Sequence, residues 1–397
     1  MFLKFLKKSY PTQKNLFLIP KTALRVIGLY PEGGKSMLIH AWSFFNLIIL
    51  AYGSYAELAY GIHFISIDLV RALDALCPVA SSIMTFVKLC FIWWYREPIE
   101  SLIKRIAVLT AEQNNEQKMF YKRSYFAIAT RISFAALFFG FATSTSYTIR
   151  AAVVNYSNQG RVEDVRFETP FKMAFPQPLL TMPLFPLAFT ISHWHGYITV
   201  AGFAGVDGLF LCFCMYFVTL LRALQEDIKS LLIEIDHDGR YHSLEIEIER
   251  SLSKIIERHN EIVALIDKFS AVMLGIVLGH FVTSTFIIGT CVIDMMLFPN
   301  YGIFVYLVHT ISVITQLFLY CMGGTMVIEG STELATTVYC SNWYTHNLRI
   351  QKMVLLLMLR SQRSIVIKVP FFAPSLPAFN SILSSTGSLI ALLKSVI

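Results

Sequence analysis

Seven stretches of about 20 predominantly apolar residues recur along the chain of 397 residues. A stretch of this length crosses the hydrocarbon core of a bilayer as an α-helix, and a helix satisfies its backbone hydrogen bonds within one segment. Charged residues form only 15% of the chain, whereas soluble domains carry about 25%. The sequence therefore predicts an all-α membrane protein with seven transmembrane helices, near residues 36–60, 70–95, 126–150, 184–220, 270–297, 302–328 and 376–397.

The segment that leads into the first span contains Gly34-Lys35-Ser36, which is how a phosphate-binding loop ends. Such a loop needs another glycine five positions before Gly34, and that position holds Leu29. The residues after Ser36 continue into the apolar span rather than into a helix of a soluble domain. The spacing and the context exclude a nucleotide site.

Lysine and arginine concentrate before the first span and after the second, fourth and sixth spans. Because these residues gather on the cytoplasmic side of membrane proteins, the pattern predicts a cytoplasmic N-terminus and an extracellular C-terminus. The one N-glycosylation sequon begins at Asn155 in the third connection, which this topology places outside the cell. The net charge of +7 follows from the cytoplasmic bias, so nucleic acid binding is not indicated.

The predicted orientation is the inverse of that of a G-protein-coupled receptor. That class also leads us to expect Asp-Arg-Tyr at the inner end of the third span and Asn-Pro-x-x-Tyr in the seventh, and neither occurs. A secondary transporter remains an alternative, although we find no internal repeat and no paired Gly/Pro-interrupted spans. The sequence contains no serine elbow, no metal-ligand spacing and no completed phosphate loop. It therefore gives no indication of an enzyme, a metal site or a cofactor.

Two segments at opposite ends of the chain carry motifs of one known family. The first, Arg25 to Pro31, resembles the "R-x-x-G-L-W/Y-P" approach to the first span in insect odorant receptors and indicates a turn formed by glycine and proline. The second is a C-terminal block with a Tyr, a Trp-Tyr pair, a Leu-rich helix with Arg-Ser-Gln and a last span. In this chain the block comprises Tyr339, Trp343, Tyr344, Arg349, Lys352, "MVLLLMLRSQRS", Leu376, Phe379 and Leu383.

The resemblance implies a single seven-helix domain over residues 1–397, with a cytoplasmic anchor formed from 222–268 and 330–375. Thr386-Gly387-Ser388 departs from the Ser-Tyr-Ser that the family often carries. The connection from Arg222 to Lys268 is compact, unlike the long insertion of the family's co-receptor. The chain therefore resembles an odour-tuning subunit, which implies assembly with the co-receptor into a tetrameric cation channel in the plasma membrane of olfactory sensory neurons.

The last span of each subunit lines the pore in this family. Helical spacing places Ser388, Leu392 and either Ser395 or Val396 on one stripe. The resemblance implies that Leu392 and Val396 form an apolar gate, which closes by excluding water, and that Ser388 and Ser395 line it with hydroxyls. Packing of this span against its neighbours is the alternative.

An odorant is small, volatile and mostly apolar, so its site should be a concave apolar pocket with few polar groups. The resemblance implies a pocket in the outer half of the bundle, among the second, third, fourth and sixth spans. Aromatic residues there suit either ligand contact or ordinary core packing, and a few polar tips could orient a carbonyl or hydroxyl. The candidate ligand residues are Leu73, Phe138, Phe141, Thr145, His193, Tyr197, Phe203, Tyr306, His309 and Thr310.

Charged residues inside spans are costly and indicate a function by default. Asp68, Arg71 and Asp74 lie at three-residue intervals near the outer start of the second span, and we expect them to pair with one another. Lys88 and Asp207 lie deeper, and the sequence assigns a role to neither.

Histidine and cysteine residues raise the possibility of metal binding or disulfides. His193 and His195 are two residues apart and so point to different sides of a helix, which favours interfacial anchoring over a metal site. The seven cysteines fall mostly inside apolar spans, where they are expected to act as small buried hydrophobic residues.

The connection between the fourth and fifth spans reads as two helices around "DHDGR". Its second part has apolar residues at helical intervals among paired charges, which is typical of an amphipathic helix that continues the fifth span. Together with the helix at Met353 to Leu359 it is expected to form the cytoplasmic anchor. Trp343, Tyr344 and Leu356 are the candidate subunit-interface residues.

Overall fold

The computed structural model describes residues 17–32, 36–111, 115–158, 167–232, 241–297 and 301–396, with only the backbone for 241–244, 301–302 and 389–396. The described residues form an all-helical fold. Its helices are α1 (Leu18–Val26), α2 (Met37–Phe64), α3 (Leu69–Trp94), α4 (Arg96–Ala111), α5 (Glu116–Asn158), α6 (Phe185–Leu231), α7 (Tyr241–Leu297), α8 (Tyr301–Tyr339), α9 (Leu348–Ser361) and α10 (Leu376–Val396).

Each of the seven predicted spans coincides with one long helix: α2, α3, α5, α6, α7, α8 and α10. Helices α5, α6, α7 and α8 have 43, 47, 57 and 39 residues, well beyond the roughly 20 that cross a bilayer. These helices therefore continue outside the hydrocarbon core. The prediction of an all-α protein with seven spanning helices is confirmed.

Helix α6 forms the centre of the bundle. It packs against α1, α2, α3, α5, α7 and α8, and its most apolar 18-residue window is completely buried. A helix that is apolar on all sides is stable only inside other protein or lipid. On its cytoplasmic half the rings of Phe210, Phe213 and Phe217 lie 4.9 to 5.5 Å from the ring of Phe269 on α7, which ties these helices together.

The approach to the first span is a tight turn. Gly28 has φ +77°, a left-handed conformation that glycine adopts without steric cost. The hydroxyl of Ser43 on α2 donates to the carbonyl of Gly28 at 2.7 Å, which closes the turn against the helix. This agrees with the turn predicted at Arg25 to Pro31. Residues 33–35 lie outside the described residues.

The cytoplasmic end of the bundle contains α4, α9 and the extensions of α6, α7 and α8. Helix α9 packs on α7 and α8 and begins after Asn347, whose side chain accepts hydrogen bonds from the backbone of Arg349 and Ile350. The buried carboxylate of Glu245 on α7 lies 3.2 Å from His346 Nδ1 and accepts from the Asn347 backbone at 3.1 Å. The "DHDGR" segment lies outside the described residues.

Candidate functional site

An enclosed cavity lies between α2, α3, α5, α6 and α8, with a volume of about 40 Å³. With the predicted orientation it is in the outer half of the bundle, because its residues lie near the C-terminal ends of α2 and α5 and the N-terminal halves of α3, α6 and α8. Apolar and aromatic walls come from Pro78, Tyr147, Val200 and Phe203. This combination of an apolar body and a few polar groups is typical of small-molecule sites.

The connection between α5 and α6 folds back into the bundle and covers this cavity. Phe171 lines it, and its backbone N–H donates to the hydroxyl of Ser192 at 3.1 Å. The Phe171 ring stacks on Tyr147 with ring centroids 5.2 Å apart. The backbone N–H of Ala174 donates to the carbonyl of Ala56 at 2.9 Å. The described part of the connection, residues 167–184, therefore contributes to the cavity wall.

Asn155 anchors the same connection. Its amide group donates to the carbonyl of Glu168 at 2.8 Å, and its carbonyl oxygen accepts from the Glu168 backbone at 2.6 Å. The side chain is buried. The predicted glycosylation of Asn155 stays a prediction, and a glycan on its Nδ2 atom would compete with the hydrogen bond from that atom to Glu168.

Two glycines create the space where α5 and α6 meet. A Cβ atom at Gly196 would lie 2.4 Å from Phe171 Cε2 and 2.7 Å from Ser144 Oγ, and one at Gly140 would lie 2.6 Å from Phe203 Cζ. These separations are far inside van der Waals contact. Only glycine allows these rings to lie against the helices and enclose the cavity.

The polar part of the cavity includes side chains from α2, α3 and α6. Glu57 on α2 accepts a hydrogen bond from Ser82 on α3, with 2.9 Å between Ser82 Oγ and Glu57 Oε2. His195 on α6 has its Nδ1 atom 3.6 Å from Glu57 Oε1. Glu57 is 0% exposed and His195 is 1% exposed. The interpretation of His195 as an interfacial anchor is therefore wrong, because the ring lies inside the bundle.

His309 on α8 lies beside two cysteines. Cys77 Sγ is 3.1 Å from Cys291 Sγ and 3.7 Å from His309 Nδ1, and the three donor atoms lie within 4.8 Å of one another, close enough to surround a metal ion. His309 also contacts Ser81 at 3.2 Å and Tyr147 at 3.3 Å. These polar neighbours account for the position of the imidazole without an ion.

Above the cavity, toward the predicted outer surface, Asp74 and Arg150 form a bidentate ion pair. The Arg150 nitrogens lie 2.9 and 3.1 Å from the two Asp74 oxygens, and the hydroxyl of Tyr306 donates to Asp74. Asp68 pairs instead with Arg71. The prediction that Asp74 pairs within its own helix is wrong, because Arg150 on α5 provides a planar partner that matches both carboxylate oxygens.

Below the cavity, Lys88 and Asp207 form a second buried ion pair. Lys88 Nζ on α3 lies 2.6 Å from Asp207 Oδ1 on α6, and the Tyr320 hydroxyl on α8 donates to the same oxygen at 2.6 Å. His280 Nδ1 on α7 lies 3.1 Å from Lys88 Nζ. The two charges that the sequence left unassigned thus join four helices.

Two of the candidate ligand residues, Phe203 and His309, line the enclosed cavity. Phe138, Phe141 and Thr145 instead line an open groove of about 430 Å³ on the outside of the bundle. The rings of Phe138 and Phe141 are 58% and 38% exposed. The opposite side of the same helix, with Gly140, Thr143, Ser144 and Tyr147, faces the enclosed cavity.

The other candidates lie around the cavity without lining it. Tyr306 belongs to the Asp74–Arg150 pair, and the Thr310 hydroxyl donates to the Tyr306 carbonyl at 2.8 Å. The His193 and Tyr197 rings contact each other with centroids 4.5 Å apart. Leu73 is half-buried on α3.

Sequence reasoning missed Glu57, Ser144, Phe171 and His195. One signal was available for Glu57, because it is the sole Asp, Glu, Lys or Arg in the first span and such a residue indicates function. No local pattern distinguishes Phe171 among the aromatic residues of its connection. Its role depends on how that connection folds back.

The chain is similar to known proteins along its whole length. The family model described as 7tm Odorant receptor matches residues 68–387. Odorant receptor 24a of Drosophila melanogaster is 49% identical over 100% of both chains, and odorant receptor 10a of the same insect is 33% identical over 99% of each.

Solved structures agree on the fold. The structure of the insect olfactory receptor OR5 from Machilis hrabei superposes with a TM-score of 0.81, covers 97% of this chain and 98% of that one, and is 15% identical. The structure of the same receptor in complex with eugenol has a TM-score of 0.78 over the same shares. With a family model that matches most of its length and relatives that match from end to end, the chain belongs to the seven-transmembrane odorant receptor family.

Proposed function

We propose that this chain is the odour-tuning subunit of an odorant-gated cation channel that it forms with the odorant receptor co-receptor in the plasma membrane of olfactory sensory neurons. A small hydrophobic odorant binds in the enclosed cavity, and its binding opens a pore lined by α10. The observation that carries this proposal is the enclosed cavity itself, which combines apolar and aromatic walls with a few polar groups and is surrounded by five of the long helices. The likeness in sequence to named odorant receptors supports the same function.

Helix α10 has features suited to a pore. It packs on α7 and α8, and Ser381, Ser384, Ser385 and Ser388 are exposed. These serines recur at intervals of three and four residues, so they form one polar stripe on the helix. Such a stripe is better suited to a water-filled pore than to lipid. The side chains of Leu392, Ser395 and Val396, which we propose as gate residues, lie outside the described residues.

Helix α9 presents an apolar face at the cytoplasmic end. Leu348, Leu355, Leu356 and Leu359 are between 47% and 67% exposed, and Tyr344 next to them is 64% exposed. Trp343 is half-buried behind them. A contiguous exposed apolar surface marks an interaction site, and here the proposed occupant is the co-receptor.

The first test is a current recording from cells that express the chain with and without the co-receptor, while volatiles are applied and G-protein signalling is blocked. We expect a cation current that requires both the co-receptor and an odorant. A current that disappears when G proteins are blocked would favour a G-protein-coupled receptor. Saturable uptake of a solute without the co-receptor would favour a transporter.

Replacing Gly196 by alanine tests whether the enclosed cavity is the odorant site. The new methyl group would push on Phe171 and Ser144, and overpacking of this kind costs about 1–3 kcal/mol. We expect the half-maximal odorant concentration to rise roughly tenfold, with normal surface expression. The matched control is Gly330→Ala, where the nearest atom to the new Cβ is 3.5 Å away. Equal responses in the two variants would place the odorant site elsewhere.

Replacing Leu348 and Leu356 by aspartate tests the apolar face of α9. Loss of a central interface contact costs about 2 kcal/mol or more, which is about a thirtyfold loss of affinity. We expect co-precipitation of the co-receptor to fall accordingly while the variant still binds odorant. Arg360→Asp, an exposed position on the same helix, serves as the control. Undiminished co-precipitation of the double variant would exclude this face as the interface.

A further inference from the structure

Three buried side chains of the enclosed cavity have polar atoms without a hydrogen-bond partner among the described residues. The unpartnered atoms are Glu57 Oε1, both ring nitrogens of His195 and Ser144 Oγ. All three line the cavity, and they come from α2, α6 and α5. Each is less than a tenth exposed.

In the two buried ion pairs above and below this cavity, by contrast, each charge lies against an opposite charge. Lys88 is paired with Asp207 and Arg150 with Asp74. One carboxylate oxygen of Glu57 accepts a hydrogen bond from Ser82, and the other lies 3.6 Å from His195 Nδ1. An unpaired polar group in a protein interior is destabilising. Three such groups on different helices around one cavity indicate that a polar group of a bound molecule completes them.

We propose that the odorant of this receptor carries a hydroxyl group, and that Glu57 and His195 bind it, with Ser144 as a third partner. This inference rests on the proposed function. A hydroxyl donates one hydrogen bond and accepts others. It therefore matches a carboxyl group in either protonation state and an imidazole that offers one donor and one acceptor. A ketone, ester or ether can only accept hydrogen bonds, and a hydrocarbon can neither donate nor accept them.

The rest of the cavity sets the shape of the molecule. Phe171 and Phe203 form its apolar sides, so the remainder of the odorant should be an aromatic ring or a short hydrocarbon chain. The chemical class is thus a small alcohol or phenol. Selectivity should be strong, because a site built to hydrogen-bond a hydroxyl leaves its own buried groups unpaired when an analogue lacks that hydroxyl.

The test compares matched probes on cells that express the receptor with the co-receptor. The probes are 2-phenylethanol, 2-methylphenol and octanol, each beside its methyl ether and the hydrocarbon that lacks the oxygen. For the alcohols and phenol that activate the receptor, we expect a half-maximal concentration roughly tenfold or more below that of the matched ether and hydrocarbon. The proposal would be overturned if the ethers or hydrocarbons activated the receptor at the same half-maximal concentrations as the alcohols. It would also be overturned if protonated amines of the same skeleton activated it at lower concentrations than the alcohols.

Variants then assign the preference to the two residues. In the double variant Glu57→Leu with His195→Phe, we expect the half-maximal concentrations of ether and alcohol to become nearly equal. Glu57→Gln, which keeps a polar side chain, should retain part of the preference for the alcohol. The control is His193→Phe on the same helix, since His193 contacts Thr148 and Tyr197 rather than the cavity. An unchanged ratio between the two half-maximal concentrations in the double variant would overturn the role of the pair.

A binding measurement separates this inference from the proposed function. The thermal unfolding temperature of the purified receptor rises with any molecule that binds the folded state. A rise with alcohols and not with ethers supports the hydroxyl preference even if no current flows, in which case the channel function would be wrong. The hydroxyl preference would be contradicted if every class of probe gave a current, or if no alcohol raised the thermal unfolding temperature. Neither result would decide the channel function, which has its own test.

Discussion

Lys88→Met is expected to lower the free energy of unfolding by about 3–5 kcal/mol, because it leaves the Asp207 carboxylate without its partner in the interior. Both side chains of the pair are at most 1% exposed, so water cannot replace the lost contact. The hydroxyl of Tyr320 would remain as a hydrogen-bond donor to Asp207, and it does not neutralise the charge. The measurement is the thermal unfolding of the detergent-solubilised receptor, together with the amount that reaches the cell surface.

A compensating variant shows whether the unpaired charge is the cause. Replacing Lys88 by Met, Asp207 by Leu and Tyr320 by Phe removes all three polar groups at once, and apolar substitution of a buried ion pair is often neutral or stabilising. We expect this triple variant to recover most of the lost stability. If Lys88→Met alone unfolds at the wild-type temperature, the pair contributes no net stability in the folded receptor.

Arg150→Met is expected to have an effect of the same size at the outer end of the bundle. It removes a bidentate partner from Asp74, in a pair whose side chains are 13% and 6% exposed. Loss of one member of such a pair costs about 3–5 kcal/mol. Since Arg150 joins α5 to α3 and also donates to Tyr306 on α8 at 3.1 Å, the variant should also loosen the helices around the cavity.

The chain offers a matched control at Arg71. This residue also pairs with an aspartate, at 3.0 Å from Asp68, but the two side chains are 63% and 36% exposed. Exposed pairs contribute at most about 1 kcal/mol. Arg71→Met should therefore unfold close to the wild-type temperature. Equal destabilisation by the two substitutions would mean that burial does not distinguish these pairs.

The positions of the seven spans could be predicted from the sequence because a helix in lipid needs about 20 consecutive apolar residues, and this requirement is local. The turn at Gly28 was indicated by the resemblance of Arg25 to Pro31, and the structure shows there a left-handed backbone, which favours glycine. The resemblance in two short segments indicated the family, which the comparisons over the whole chain confirm.

The pairing of charges could not be predicted in this way. Asp74 lies three residues from Arg71, which made that pair the obvious expectation, but its partner Arg150 is 76 residues away. Lys88 and Asp207 are 119 residues apart. Which charge meets which depends on how the helices pack, and periodicity within one helix carries no information about that.

The cavity shows the same division between local and tertiary information. The sequence by itself determined the aromatic character of α5, yet periodicity alone did not decide which side faces inward, and the structure turns Gly140, Ser144 and Tyr147 toward the cavity and Phe138 toward the outside. A membrane helix can expose apolar rings to lipid and place small or polar residues inside, the reverse of a soluble helix. Apolar length along the chain therefore determined the number and place of the spans. Only tertiary packing decided that Glu57 and His195, 138 positions apart by their numbers in the sequence, meet in one buried site.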